Sequence, residues 1–170
     1  MDTERVSVSA VRPALAAACP SLTDGIAADA VAGVVPSFVA SPSSTAEVSA
    51  LLREAAAAGL AVVPRGAGTG LAWGAPPSRC DLVVDLRSMD QVVEHEAGDL
   101  VARVQAGATI GQLAVAFGSG SGSGQQLALD VPAEATVGGV VATGTAGPRR
   151  FRYGSPRDLL IGITVVRADG

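Results

Sequence analysis

The chain predicts an α+β fold, and three features predict it. Apolar residues recur at helical spacing over 44–59 and 109–117. Short apolar or alternating runs at 60–64, 81–86, 91–96 and 100–105 read as strands. Between the first two of these runs lies Pro64-Arg65-Gly66-Ala67-Gly68-Thr69-Gly70, three glycines at alternate positions directly after a strand. With 170 residues, 48% of them hydrophobic, the chain is long enough to bury a sizeable core as one globular domain.

In order, 6–19 reads as a short amphipathic helix weakened by Pro13, and 24–35 is ambiguous. Ser37-Phe38-Val39-Ala40 reads as extended and is closed by Ser41-Pro42, because a residue before proline avoids the helical region. The spacing then predicts a helix with Ser44 and Glu47 as a capping box, Val48, Leu51, Leu52 and Ala55 on its apolar face, and Gly59 as its stop. Residues 60–64 form a strand that delivers the glycine loop, and 81–86 a buried strand. Residues 91–96 and 100–105 form two strands joined by a tight turn at Ala97-Gly98-Asp99. Thr109 opens a helix that buries Ile110, Leu113, Ala114 and Phe117. The strictly alternating Gly/Ser run at 118–124 reads as a flexible engineered linker, with a natural Gly/Ser loop as the alternative. Beyond it, 126–130 reads as a strand, and 135–144 as small residues pressed against a flat ligand or a neighbouring helix. A basic turn follows at 147–154, then a strand over 159–167 and a turn at Asp169-Gly170.

The glycine loop carries the chemistry. Glycines let a backbone turn tightly and bring N–H groups close to a ligand, and amides aimed into one concavity suit a phosphate or pyrophosphate. Arg65 adds a positive charge and Thr69 a hydroxyl donor. The same pattern also serves as a purely structural turn. Two common phosphate loops are excluded. A dinucleotide fingerprint needs the glycines to open a helix, and Leu71-Ala72-Trp73-Gly74-Ala75-Pro76-Pro77 breaks one. A P-loop needs a lysine, and this chain has none. Any anion is therefore held by loop amides.

Other classes are bounded by composition. A formal charge of −4 argues against a broad nucleic-acid or membrane-surface role. Cys19 and Cys80 are far apart without ligand spacing, and His95 is the single histidine, so no metal site is expected. The N-terminus lacks a signal-peptide pattern, and no apolar run reaches the ~18 residues of a membrane span, so a cytoplasmic location is expected.

Taken together, three motifs resemble the flavin-binding domain of the vanillyl-alcohol oxidase/p-cresol methylhydroxylase (PCMH) type. They are Val62-Val63-Pro64-Arg65-Gly66-Ala67-Gly68-Thr69, then Ala135-Thr136-Val137-Gly138-Gly139, then Tyr153-Gly154 through Arg157-Asp158 to Val165-Val166 and Asp169-Gly170. Trp73-Gly74, Val93-Glu94-His95, Gly98-Asp99-Leu100-Val101 and Gly147-Pro148-Arg149-Arg150 are most similar to the FAD-binding subunit of glycolate oxidase. The resemblance covers 36–170 and leaves 1–35 as an N-terminal helical extension. It implies a PCMH-type fold with a small N-terminal α/β subdomain and a second mixed-sheet subdomain, holding FAD between them. It also implies oxidation of a small 2-hydroxy acid by hydride transfer to flavin N5. Pro64, Arg65, Gly66, Ala67, Gly68, Thr69 and Gly70 would hold the pyrophosphate. Thr136, Gly138, Gly139, Thr143 and Gly147 would line the flavin and its phosphate-ribitol side, and backbone around Ile163 and Val165 would meet the adenine portion. Covalent members carry a histidine where Thr69 stands, so non-covalent FAD is expected. A partner subunit is a further expectation.

Two departures matter. Gly144 stands where members often have asparagine, and members continue past Asp169-Gly170, so the chain is expected to be a C-terminally truncated fragment. No catalytic residue is nominated. His95 lies between Glu94 and Glu96 and reads as structural, Tyr153 as packing, and Arg149, Arg150 and Arg152 as a solvated turn or a contact to phosphate or a partner subunit. The alternative function is an inactive or cofactor-free interaction module that keeps the fold.

Overall fold

The computed structural model describes residues 8–118 and 124–170. It divides into two compact units. The first comprises Met1–Pro64, Leu71–Asp85 and Val165–Gly170, and the second Arg65–Gly70 and Leu86–Thr164.

In the first unit, helix α1 (Val8–Ala18) tolerates Pro13 in its interior and buries Val11 and Leu15. It packs against helix α2 (Thr45–Ala57), which buries Val48, Leu51 and Ala55, the face expected from their spacing. The Ser44 hydroxyl accepts the Glu47 amide at 3.2 Å. The reciprocal half of the expected capping box falls one residue earlier. Glu47 accepts from the Ser43 amide at 2.8 Å and its hydroxyl at 3.1 Å, not from Ser44, because the longer reach collects two donors. Gly59 follows the helix at φ 63°, a left-handed stop that favours glycine.

Strands β1 (Leu22–Asp24), β2 (Phe38–Ala40), β3 (Val62–Arg65) and β4 (Leu82–Asp85) form one sheet in the order β1-β2-β4-β3. β1 runs antiparallel to β2, pairing Leu22 with Ala40, and β2 runs parallel to β4, pairing Phe38 with Leu82. Every residue of β2 and β4 is buried, as befits the two inner strands of the sheet. Val31, Val39, Cys80 and Val83 make a core cluster, with Val34, Val63 and Leu71 packed on it. The entry to β3 is pinned by Asp81, whose carboxylate accepts the Ala61 amide at 2.7 Å and pairs with Arg79 at 2.9 Å. Cys19 and Cys80 are both buried, and burial pushes the Cys19 thiol up. The expected turn at the C-terminal end forms, with the Gly170 amide donating to Arg167 O at 2.9 Å.

In the second unit, β5 (Val92–Glu96) and β6 (Val101–Val104) make an antiparallel hairpin with a bulge between Val92 and Glu94. The left-handed residue at its turn is Leu100 (φ 58°) rather than Gly98. Helix α3 (Ile110–Phe117) has a full capping box, Thr109 with Gln112, and buries Leu113 and Phe117. Helix α4 (Val137–Thr143) occupies the stretch of small residues, and α5 (Arg150–Tyr153) turns the basic segment into a short helix. The Gly/Ser run lies, for 119–123, outside the described residues.

Two expected strands do not form. Residues 126–130 pair with no strand among the described residues. They are held instead by side chains, the Asp130 carboxylate accepting the Arg149 amide at 2.7 Å and pairing with its guanidinium at 3.1 Å. The run 159–167 begins as the end of helix α6 (Pro156–Leu159). Pro156 at the first turn and a capping box between Ser155 and Asp158 nucleate that helix, and among the described residues no strand pairs with the rest.

Two outcomes follow. Leu82 is fully buried, so Leu82→Ala is expected to lower stability by about 2–5 kcal/mol in urea denaturation. At Asp158, the hydrogen bond from the Ser155 hydroxyl, then that from its amide, holds the exposed carboxyl below its usual range. The lowered value means that its support of the α6 cap is present above the ordinary carboxylate range and is lost as pH falls through the lowered one. Titration of the Ser155 amide resonance should show this midpoint, moved upward in Ser155→Ala.

Candidate functional site

The glycine loop closes directly onto the second motif. β3 carries Pro64 and a half-buried Arg65 to Gly66, where the strand ends. A Cβ at Gly66 would overlap the Thr136 hydroxyl and stand 3.0 Å from Thr136 Cβ and 3.1 Å from its Cγ2. No side chain fits between them. Gly68 adopts φ 82°, so the loop turns through a conformation that L side chains rarely take. Among the described residues, none of the amides of Gly66, Ala67, Gly68, Thr69 or Gly70 donates to backbone.

Thr136 is itself held in place. It is 2% exposed and caps α4, its hydroxyl accepting the Gly139 amide at 3.3 Å. The chain on either side is zipped to residues 106–111. Gly111 donates to Ala133 at 2.7 Å, Ile110 to Ala135 at 2.9 Å, Val137 to Ala108 at 2.8 Å and Gly138 to Ala106 at 2.8 Å. A Cβ at Gly138 would come within 2.9 Å of the Ala106 methyl, so this close approach also excludes a side chain. At the far end of α4, the Thr143 hydroxyl donates to Gly139 O at 2.8 Å and meets the Thr145 hydroxyl at 2.6 Å, while Gly144 takes φ 64°. Gly147 lies against Asp130, where a side chain would meet the carboxylate.

Of the residues singled out from sequence, Gly66, Thr136, Gly138 and Gly139 are brought together, with Arg65, Ala67, Gly68, Thr69 and Gly70 on the same loop and Thr143 on the same short helix. Ile163 and Val165 lie beyond α6 with exposed side chains. His95 is occupied structurally, its Nε2 3.0 Å from Gln125 Oε1 and its ring 4.5 Å from that of Phe117. Sequence reasoning passed over Ala106, Ala108 and Asp130. The first two act through backbone carbonyls, which leave no side-chain signature, although Gly107 beside them is forced by the carbonyls of Leu86 and Met89. Asp130 gave no motif because its partner Arg149 is distant in sequence.

A glycine-turned loop whose amides donate to no backbone among the described residues, with a cation and a hydroxyl beside it, is the kind of arrangement that suits an anion.

Comparisons with known proteins show the family. Residues 36–170 match the model of the family described as an FAD binding domain. The chain is 37% identical over 133 residues to a D-lactate dehydrogenase of Archaeoglobus fulgidus, which covers 78% of this chain and 29% of that protein. It is 33% identical over 129 residues to a probable mitochondrial D-2-hydroxyglutarate dehydrogenase of Oryza sativa subsp. indica, covering 76% and 23%. It is 32% identical over 143 residues to a glycolate oxidase subunit of Bacillus subtilis, covering 80% and 29%. The chain thus spans less than a third of the length of these relatives. Its fold is similar to that of alkyldihydroxyacetonephosphate synthase, with a TM-score of 0.79 at 22% identity over 100% of this chain and 34% of that one. It is also similar to that of p-cresol methylhydroxylase, with a TM-score of 0.66 at 15% identity over 78% and 28%. With the family model matching residues 36–170, the chain belongs to the FAD binding domain family, and its fold is of the PCMH type.

Proposed function

We propose that this chain holds FAD non-covalently as the flavin-binding part of an oxidoreductase acting on small 2-hydroxy acids of the lactate and glycolate type. The observation that carries the reading is the closure of Gly66 onto Thr136, which sets five loop amides that donate to no backbone among the described residues beside the Thr136-capped start of α4. The residues fit the group. Amides of Gly66, Ala67, Gly68, Thr69 and Gly70 would bind the pyrophosphate, with Pro64 fixing the entry of the strand and Arg65 offsetting charge. Thr136, Gly138, Gly139, Thr143 and Gly147 would line the flavin-ribitol side, where glycine lets a flat ring system approach backbone. Backbone around Ile163 and Val165 would meet the adenine portion. Thr69 has no nucleophilic nitrogen to link to a flavin, which supports non-covalent binding.

Held by these residues, FAD would supply the electron acceptor, taking a hydride from the hydroxyl-bearing carbon of the substrate at its N5. The work of this chain is to bind and orient. No proton-transfer residue is assigned, because His95 is engaged with Gln125 and Phe117. The substrate class rests on the relatives, two named dehydrogenases of 2-hydroxy acids and one glycolate oxidase subunit.

An FAD titration of the purified chain, followed by flavin fluorescence, tests the reading. Saturable binding is expected, with all flavin in the filtrate after acid denaturation, and Gly68→Ala should weaken it at least tenfold. A folded chain that binds no FAD would refute it. Gly66→Ala should weaken binding and lower stability by driving a methyl into Thr136, and adding Thr136→Ala should recover part of the stability in a double-mutant cycle.

A further inference from the structure

Between α4 and α5 runs the segment 144–149, which contains Gly147. Its own amides hold it to little. Thr145, Ala146 and Gly147 donate to no backbone group among the described residues, and Pro148 has no N–H to give. The Arg149 amide donates to a side chain instead, the Asp130 carboxylate, at 2.7 Å.

Asp130 meets this segment in three ways. Its Oδ2 accepts that amide, and its Oδ1 lies 3.1 Å from Arg149 Nε. Its side chain also packs on the backbone of Gly147, where a Cβ would stand 2.4 Å from Asp130 Cβ and 2.9 Å from Oδ2. The ion pair joins side chains that are 44% and 31% exposed, so solvent screens it and it holds little. The bond to the amide is different. It is charge-assisted, directional and made to the main chain, so it fixes where the backbone runs. Asp130 is itself well placed to do this. It stands three residues before Ala133, which accepts the Gly111 amide at 2.7 Å, the first of the bonds that also place Thr136.

We propose that Asp130 is a positioning residue of the flavin site. Its carboxylate oxygen, acting through the Arg149 amide, sets the backbone at Gly147 against the flavin-ribitol portion of FAD. This inference rests on the flavin-binding reading above. The acting group is the acceptor oxygen and not the negative charge. Asparagine keeps an oxygen of the same reach and can replace it, whereas alanine cannot.

Parallel titrations of the 170-residue chain with FAD and with ADP test this. ADP carries the pyrophosphate but no flavin or ribitol, so it probes the Gly66–Gly70 loop without the Gly147 segment. Asp130→Ala is expected to weaken FAD by about tenfold or more and to leave ADP unchanged. Asp130→Asn should hold FAD within about threefold of wild type. Gly147→Ala, which drives a methyl into Asp130, should repeat the Asp130→Ala pattern. Far-UV circular dichroism checks that each variant is folded. Equal losses of ADP and FAD in Asp130→Ala would show a general structural role and overturn the proposal. So would an unchanged FAD affinity in that variant, or an Asp130→Asn variant as weak as Asp130→Ala. These outcomes all arise with wild-type FAD binding intact. A folded wild-type chain that binds no FAD refutes the flavin reading, and this inference with it.

Discussion

Four backbone hydrogen bonds between 106–111 and 133–138 are the constraint on which the candidate site depends. They fix Thr136 at the start of α4, and Thr136 is the surface against which Gly66 closes. The approach works because two positions lack side chains. A methyl at Gly138 would press on Ala106, and one at Gly66 would overlap the Thr136 hydroxyl. The glycines of the two motifs are thus required by packing before any ligand is considered.

That separates two questions that a glycine loop usually merges. The glycine at 66 is explained by its neighbour and is not by itself a sign of phosphate. The proposed binding rests instead on the loop amides, which among the described residues donate to no backbone carbonyl. Gly68, with φ 82°, is the position whose glycine the loop's own turn demands.

Within the first unit, the start of β3 is fixed by its own contacts. β4 is a fully buried strand in a mixed sheet, and Asp81 at its threshold ties the start of β3 through the Ala61 amide. A buried carboxylate is tolerable there because it accepts a backbone donor and faces Arg79. β3 therefore ends at a defined point, and the turn begins where the sheet stops.

Much of this was legible in the sequence. The face of α2, the Thr109 start of α3, the buried run of β4, the β5–β6 hairpin and the three glycine-bearing motifs all rest on local rules: periodicity, capping and β-branched content, which nearest neighbours along the chain decide. Local rules failed where a partner distant in sequence had the last word. Residues 126–130 and 160–166 have strand-like composition, but a strand exists only with a neighbour to share its hydrogen bonds, and none stands beside them among the described residues. The reach of Glu47 to Ser43 and the left-handed turn at Leu100 likewise depended on which donors and which register the fold offered. The sequence alone determined that the glycine loop follows a strand, has no lysine and opens no helix. Only the tertiary structure decided that this loop meets Thr136, because that contact joins residues seventy positions apart through bonds that no side chain announces.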